Sequence, residues 1–437
     1  MNTLAIVGYL VILVMMVMIL KNKALPLFCF AVLPVIGAFC AGFSVKEVLE
    51  FVNKGVGTTW KTAVLFIFSV VYFGVMNDAG MFDRMVNALL KVAGGSLSLL
   101  FIATVLIATV GHIDGATAST YLISFPVMLP IFKRLKLNPL ILLLLVASST
   151  GIMNMVPWGG PTIRAATAIK GDANALWHSL IPMQVFGLVA SCVLALYFAH
   201  TEKKRLAAEG VDLSNMSAAM AGIESNAQAD ESLKRPGMYW FNLAFTALLI
   251  AALIWTKIPA FVVFMFGCVI ALTVNYPDTK IQMQRLTAHA PNCIGLTMTL
   301  LCAGVFLGVF ANSGMIKEMA LVLINVLPDS LRQYLHIIIG VLGAPMGMVM
   351  GPDPYYYAVL PLIGETVAPF GVTLEQVAKS MLIGENVALA VSPCVATTFL
   401  AIGLVGVELK DHIRFSFKWL WLLSIIMLAF AVVTKIV

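Results

Sequence analysis

Apolar runs of about 20 residues, the length an α-helix needs to cross the hydrocarbon core of a bilayer, recur along most of this chain. They fall near residues 3–20, 24–42, 62–80, 139–155 and 176–199, and again near 238–255, 258–275, 295–312, 378–404 and 415–436. Between the two sets lie residues 201–236, where charge mixes with Ala, Ser and Asn and apolar periodicity is lost. This stretch reads as a solvated cytoplasmic linker between a first half, 1–200, and a second, 237–437. The leading run has no basic leader and no small-residue cleavage site, so it is expected to be a membrane span and not a signal peptide.

The halves correspond in detail. FGVMNDAGMFDRM (73–85) aligns with LGVFANSGMIKEM (307–319), Leu129-Pro130 with Leu360-Pro361, and PWGGPT (157–162) with PCVATT (393–398), in the same order. Ordered landmarks of this kind point to an internal duplication, and many secondary transporters are built from two such repeats of opposite membrane orientation.

Each half also holds an apolar stretch interrupted near its middle, 97–135 broken at GHIDGATAST (111–120) and 331–368 broken between Gly343 and Pro354. Irregular backbone at membrane depth survives only where it is buried in protein or lines a cavity, so each stretch is expected to be a re-entrant hairpin whose tip reaches a site. Five crossings and one hairpin per half make the second half enter the membrane inverted. With the linker in the cytoplasm, the larger share of lysines and arginines falls on the inner side, as the positive-inside rule requires, and both termini face outward. The predicted fold is therefore an all-α polytopic membrane protein of two inverted repeats, with broken helices near 139–170 and 378–404.

Composition agrees: 61% of residues are hydrophobic and 11% charged, and mean hydropathy is +0.98. A soluble domain carries about 25% charged residues, so a cytosolic enzyme, a nucleic-acid-binding protein and a disordered chain are excluded. The net charge of +6 is spread singly or in short clusters between apolar runs, which is topology and not a nucleic-acid patch. Seven cysteines without CxxC spacing indicate neither zinc nor disulfides and read as small core residues. No HExxH or GxSxG-type motif suggests an enzyme.

The strongest chemical signal is Asn154-Met-Val-Pro-Trp-Gly-Gly-Pro-Thr-Ile-Arg164, because two prolines and two glycines must break an apolar helix. A half-helix restarting near Pro161 would aim free N–H groups and its dipole at an anion. Arg164, in its first turn, can pair with a carboxylate through two parallel hydrogen bonds. Candidate substrate contacts are Ser119, Thr120, Asn154, Trp158, Gly159, Gly160, Thr162 and Arg164, with Ser392, Thr397 and Thr398 from the second break. Ionisable groups at membrane depth are functional candidates by default: His112, Asp114 and Glu385 for carrying protons, and Asp114 and Asp353 as oxygen ligands for a divalent metal. Asn77, Asp78 and Asn312, at the matched Gly-Met repeat, either cap a broken helix or touch substrate.

GHIDGATASTYLISFPVMLPIFKRL (111–135), NPLILLLLVASSTGIMNMVPWGGPTIRA (138–165) and the run from Asp353 through VLPLIGE resemble the citrate–divalent-metal:proton symporter family of the ion transporter superfamily, over nearly the whole chain. The resemblance implies scaffold and transport parts, an elevator-like motion, and proton-coupled uptake of citrate complexed with Mg²⁺ or Ca²⁺ across the cytoplasmic (inner) membrane. No permanently bound cofactor is implied, and a homodimer is the assembly to test for. The family's hairpin tip matches His112, Asp114, Gly115, Thr120 and Tyr121. Its broken helix matches Asn154, Pro157, Trp158, Gly159, Gly160, Pro161, Thr162 and Arg164. Ala116 stands where a second Asp is expected and Pro352 where a polar residue is, so uncomplexed citrate, another di- or tricarboxylate, and cation/proton exchange remain alternatives.

Overall fold

A computed structural model describes residues 2–21, 23–94, 96–210, 231–256 and 258–437, and among these residues the chain is helical throughout, without strands. The first half runs α1 (Thr3–Leu20), α2 (Pro26–Cys40), α3 (Val45–Asp78), α4 (Met81–Ala93), α5 (Leu97–Gly111), α6 (Thr117–Arg134), α7 (Pro139–Met153), α8 (Gly160–Ala168) and α9 (Ala173–Ala208). The second runs α10 (Tyr239–Trp255), α11 (Ala260–Asn275), α12 (Thr279–Asn312), α13 (Met315–Val326), α14 (Leu335–Val341), α15 (Gly343–Met350), α16 (Leu360–Val367), α17 (Leu374–Asn386), α18 (Ala396–Val405) and α19 (Leu409–Val433). Long, short and broken helices follow one another in a similar order in both, except that the second hairpin is divided into more and shorter helical pieces than α5 and α6. Helices α3, α9, α12 and α19, and Pro236–Trp255, are long and apolar enough to cross a membrane.

Several expected spans are pieces of longer helices. α3 and α12 are each 34 residues long, against the expected 62–80 and 295–312. At 1.5 Å per residue each reaches about 51 Å, well beyond a bilayer core of about 30 Å. The extra turns are polar, and local signals start them: a Ser44–Glu47 capping box opens α3, and the Asp278 side chain caps α12. Hydropathy loses such turns although the backbone hydrogen bonds continue. α4 and α13 were likewise unforeseen; each follows a left-handed glycine, Gly80 (φ 80°) or Gly314 (φ 81°), that turns the chain without a Cβ clash.

Both interrupted stretches fold back on themselves. α5 and α6 are joined through His112–Ala116, with Gly115 at φ 72°. In the second hairpin the interruption is shorter than expected: α15 is helical from Gly343 to Met350, and the chain reverses at Gly351 (φ 70°). Pro345 lies early enough in α15 to cost no internal hydrogen bond. The expected linker is shorter as well. α9 continues to Ala208, and residues 231–238 dock on the helices: Lys234 pairs with Asp83 at 3.3 Å, and the Arg235 side chain donates to the Asn275 carbonyl at 2.9 Å. Val211–Asp230, on which the expectation of a mobile linker chiefly falls, lie outside the described residues.

One set of helices gathers α1–α3 with α10–α13, and the other gathers the hairpins and broken helices with α9 and α19; the sets also touch where α4 lies against α5 and α13 against α16. In the first group α3 and α12 cross antiparallel. The start of α3 meets the end of α12 where a Cβ on Gly55 would stand 2.6 Å from the Cα of Gly308, so only backbone fits there. Between the groups, the Trp158 ring packs on Phe73 (5.1 Å) and Phe264 (5.0 Å), and Asn174 and His178 both donate to the Leu253 carbonyl, at 2.8 and 2.9 Å. The cysteines are all free, but only Cys29, Cys268 and Cys293 are buried; Cys40 and Cys394 are exposed, so they are not uniformly core residues.

Candidate functional site

The PWGGPT stretch breaks its helix as its prolines and glycines require. α7 ends at Met153, six residues follow without helix, and α8 starts at Gly160 with Pro161 in its first turn. The second break runs between α17 and α18 around Ser392-Pro393. One hydroxyl ties each break across its gap: Thr162 donates to the Asn154 carbonyl at 3.1 Å, and Thr398 to the Ala390 carbonyl at 3.2 Å. Both threonines are fully buried, so these two expected substrate contacts serve the backbone instead. Ser392 does likewise, donating to Gly347 O at 3.2 Å and accepting from Cys394 N. Unpaired carbonyls left by a broken helix must find donors, and short hydroxyl side chains are the nearest.

The first hairpin tip is clamped to the first break. His112 is buried with both ring nitrogens engaged, Nδ1 with Thr120 Oγ1 at 2.7 Å and Nε2 with Asn154 Oδ1 at 2.9 Å. Trp158 Nε1 donates to Ile113 O at 2.8 Å. A Cβ on Gly115 would meet Trp158 Cδ1 at 2.8 Å, which with its positive φ makes glycine necessary there. His112, Thr120 and Trp158 thus hold the tip in place, and no nitrogen of His112 is left over for a ligand. Asp114 is folded into the tip as well, accepting from the backbone N–H of Ala116 at 2.8 Å and from the Ser119 hydroxyl.

Around these parts lies a cavity of about 410 Å³. The hairpin and first break contribute Asp114, Ser119, Asn154, Gly160 and Arg164; Pro352 and Thr397 come from the second half; Asn77, His289 and Asn292 come from α3 and α12. Asp353, expected as a metal ligand, is an ion-pair partner: Arg164 Nε donates to its Oδ1 at 2.6 Å, with both side chains about 15% exposed. Among the described residues no protein group pairs with the two terminal nitrogens of Arg164, which remain available to a ligand carboxylate. No group of three or more His, Cys, Asp or Glu side chains able to hold a metal occurs among the described residues, and Asp114 and Asp353 are not gathered into one. A divalent ion would therefore need oxygens supplied by the ligand itself.

Glu385 stands behind this site. Its Oε2 accepts from the Tyr356 hydroxyl at 2.9 Å, while Oε1 and both amide atoms of Asn386 are buried without a partner among the described residues. Sequence reading missed His289 and Asn292, because they sit in the polar-looking start of α12 that hydropathy assigns to a loop. A larger cavity, about 780 Å³, lies along the first half of α3 near Lys61, Lys170 and His178. It holds none of the residues of α7, α8 or the turn between them.

Hairpins and broken helices meeting around a polar cavity inside an apolar helical bundle define a multi-pass membrane transporter. The solved YdaH transporter of Alcanivorax borkumensis, described as having an unusual topology, has a similar fold: TM-score 0.59 at 13% identity, covering 90% of each chain. Residues 4–384 match the citrate transporter family (CitMHS), and the chain belongs to that family. Two relatives from Bacillus subtilis (strain 168) match nearly end to end. A citrate transporter is 33% identical over 416 residues, covering 95% of each chain, and an Mg(2+)/citrate complex secondary transporter is 34% identical over 428 residues, covering 98% of each. The protein is a transporter and not an enzyme.

Proposed function

We propose that the protein is a secondary transporter of the cytoplasmic membrane that takes up citrate together with a divalent cation, Mg²⁺ or Ca²⁺, driven by protons. The observation that carries this reading is Arg164: its guanidinium is oriented by Asp353, its outer nitrogens have no partner among the described residues, and it stands one turn into a half-helix at a polar cavity. Cationic forks and helix N-termini are both suited to carboxylates. Family membership makes citrate the carboxylate to expect.

The cation follows from charge. A citrate trianion entering a low-dielectric site would face a large desolvation cost, and one divalent ion removes two of its charges beforehand. The cavity's oxygens, from Asp114, Ser119, Asn154 and Thr397, are the hard donors such an ion accepts in place of water. Glu385, buried with one oxygen unpaired, is the proton carrier in this reading. The antiparallel crossing of α3 and α12 supports two inverted repeats, with α1–α4 and α10–α13 as a fixed scaffold and the remaining helices as the moving part.

Proteoliposomes test the scheme. Citrate uptake should rise with an inward proton gradient and with added Mg²⁺ or Ca²⁺; uptake indifferent to both would reject the coupling.

A further inference from the structure

The scaffold side of the cavity breaks the symmetry of the two halves at one point. The step along the sequence that takes Gly74 to Gly308 also takes Gly55 to His289. At one crossing of α3 and α12, Gly55 meets Gly308 backbone to backbone. At the other, an imidazole occupies the place of the glycine. His289 lies across Gly74, where an added Cβ would stand 2.6 Å from Nδ1 and 2.7 Å from Cε1 and Cγ. The second crossing is therefore held open by a side chain, and it is the one at the cavity.

That ring has a fixed chemical orientation. Its Nε2 lies 2.7 Å from Asp78 Oδ2, and Arg285 Nη1 lies 3.4 Å from the same oxygen. A carboxylate only accepts, so Nε2 carries the hydrogen, and in the singly protonated ring the lone pair lies on Nδ1. Nδ1 has no partner among the described residues, and His289 lines the cavity beside Asn77 and Asn292. The equivalent positions in the other crossing, Asn312 and Phe51 for Asp78 and Arg285, carry no charge, so this arrangement does not follow from the duplication.

We propose that His289 determines specificity: its Nδ1 accepts a hydrogen bond from the hydroxyl of a hydroxy-carboxylate while Arg164 holds a carboxylate on the other wall. Arg164 and the first break supply donors for carboxylates, and an acceptor suits the one donor that a hydroxy acid carries. A hydroxyl coordinated to a divalent cation keeps its proton and donates more strongly, so the contact serves free and complexed acid alike. This inference rests on the carboxylate reading of the same cavity and adds to it the group that separates citrate from acids of equal charge.

Citrate and tricarballylate, which differ only in that hydroxyl, make the test. Their affinities are measured by titration calorimetry on purified wild type and His289→Phe at one fixed Mg²⁺ concentration. Chelation in solution is then identical for both proteins, and the change in the citrate-to-tricarballylate affinity ratio reports the protein alone. We expect the ratio to fall about tenfold in the variant with tricarballylate binding retained, the size of one well-made hydrogen bond. A ratio unchanged within about twofold, or an equal loss for both acids, overturns the assignment and leaves the carboxylate reading standing. Wild type that binds neither acid overturns both. Should His289→Phe bind neither, His289→Leu, which crowds Gly74 less, is read by the same ratio.

Discussion

Arg164 and Asp353 are joined at 2.6 Å although 189 residues separate them, one in the broken helix of the first half and the other in the hairpin tip of the second. The pair ties the two halves together at the cavity and turns the guanidinium so that its outer nitrogens meet a ligand. Arg164→Gln should lower citrate binding and uptake by about thirtyfold or more. Arg164→Lys keeps the charge but not the planar fork and should recover only a part of that loss. Asp353→Asn should keep some uptake while lowering the melting temperature, since it leaves a mostly buried cation without its partner. Radiolabelled citrate uptake and thermal unfolding in detergent separate these outcomes, and full uptake by Arg164→Gln would favour a cation/proton exchanger.

The threonines of the two breaks should behave as structural residues. Thr162→Val and Thr398→Val each remove one buried hydroxyl-to-carbonyl bond, worth about 1 kcal/mol, and should lower the melting temperature by a few degrees. The KM for citrate should stay at the wild-type value in both. A raised KM at unchanged stability would return these hydroxyls to the substrate.

Close approach at Gly55 should make even a methyl group costly. Gly55→Ala places a Cβ against the backbone of α12, whereas Gly57→Ala, two residues on in the same helix, meets nothing within 4 Å. The first should reduce monodisperse protein on size-exclusion chromatography, and the second should not. Equal yields would show that the two long helices part easily.

Glu385→Gln should uncouple transport from the proton gradient. The amide retains the size of the side chain and a partner for the Tyr356 hydroxyl but carries no proton in exchange. Citrate binding should persist and gradient-driven accumulation should vanish, measured as the internal-to-external citrate ratio in vesicles. Accumulation at the wild-type level would assign the proton to another group.

The sequence was most legible where backbone rules are strict. Two prolines and two glycines at 157–161 force a break that no packing can hide, and Pro161 marks its restart to within one residue. It was least legible where the decisive fact is which partner arrives from far along the chain. Nothing local reveals that Asp353 meets Arg164, or that Thr162 and Thr398 spend their hydroxyls on backbone. The hydrophobic pattern misled at 45–61 and 279–294, because helices longer than the bilayer carry polar turns that read as loops. His289 was concealed there, and the matching of halves would have found it: a titratable ring opposite a glycine is the mismatch to look for.

The interlock of Gly55 with Gly308 has a mechanical consequence. Two rods touching backbone to backbone have no flexible side chains to yield in shear, so α3 and α12 behave as one crossed beam. In the proposed scheme, the stroke that exposes the cavity to the opposite solution is taken up between the groups, where Trp158 rests on Phe73 and Phe264 and where Asn174 and His178 share a single carbonyl. Rings glide over one another at little cost. Among the described residues, the hydrogen bonds of Asn174 and His178 to the Leu253 carbonyl are the ones such a stroke breaks at this seam.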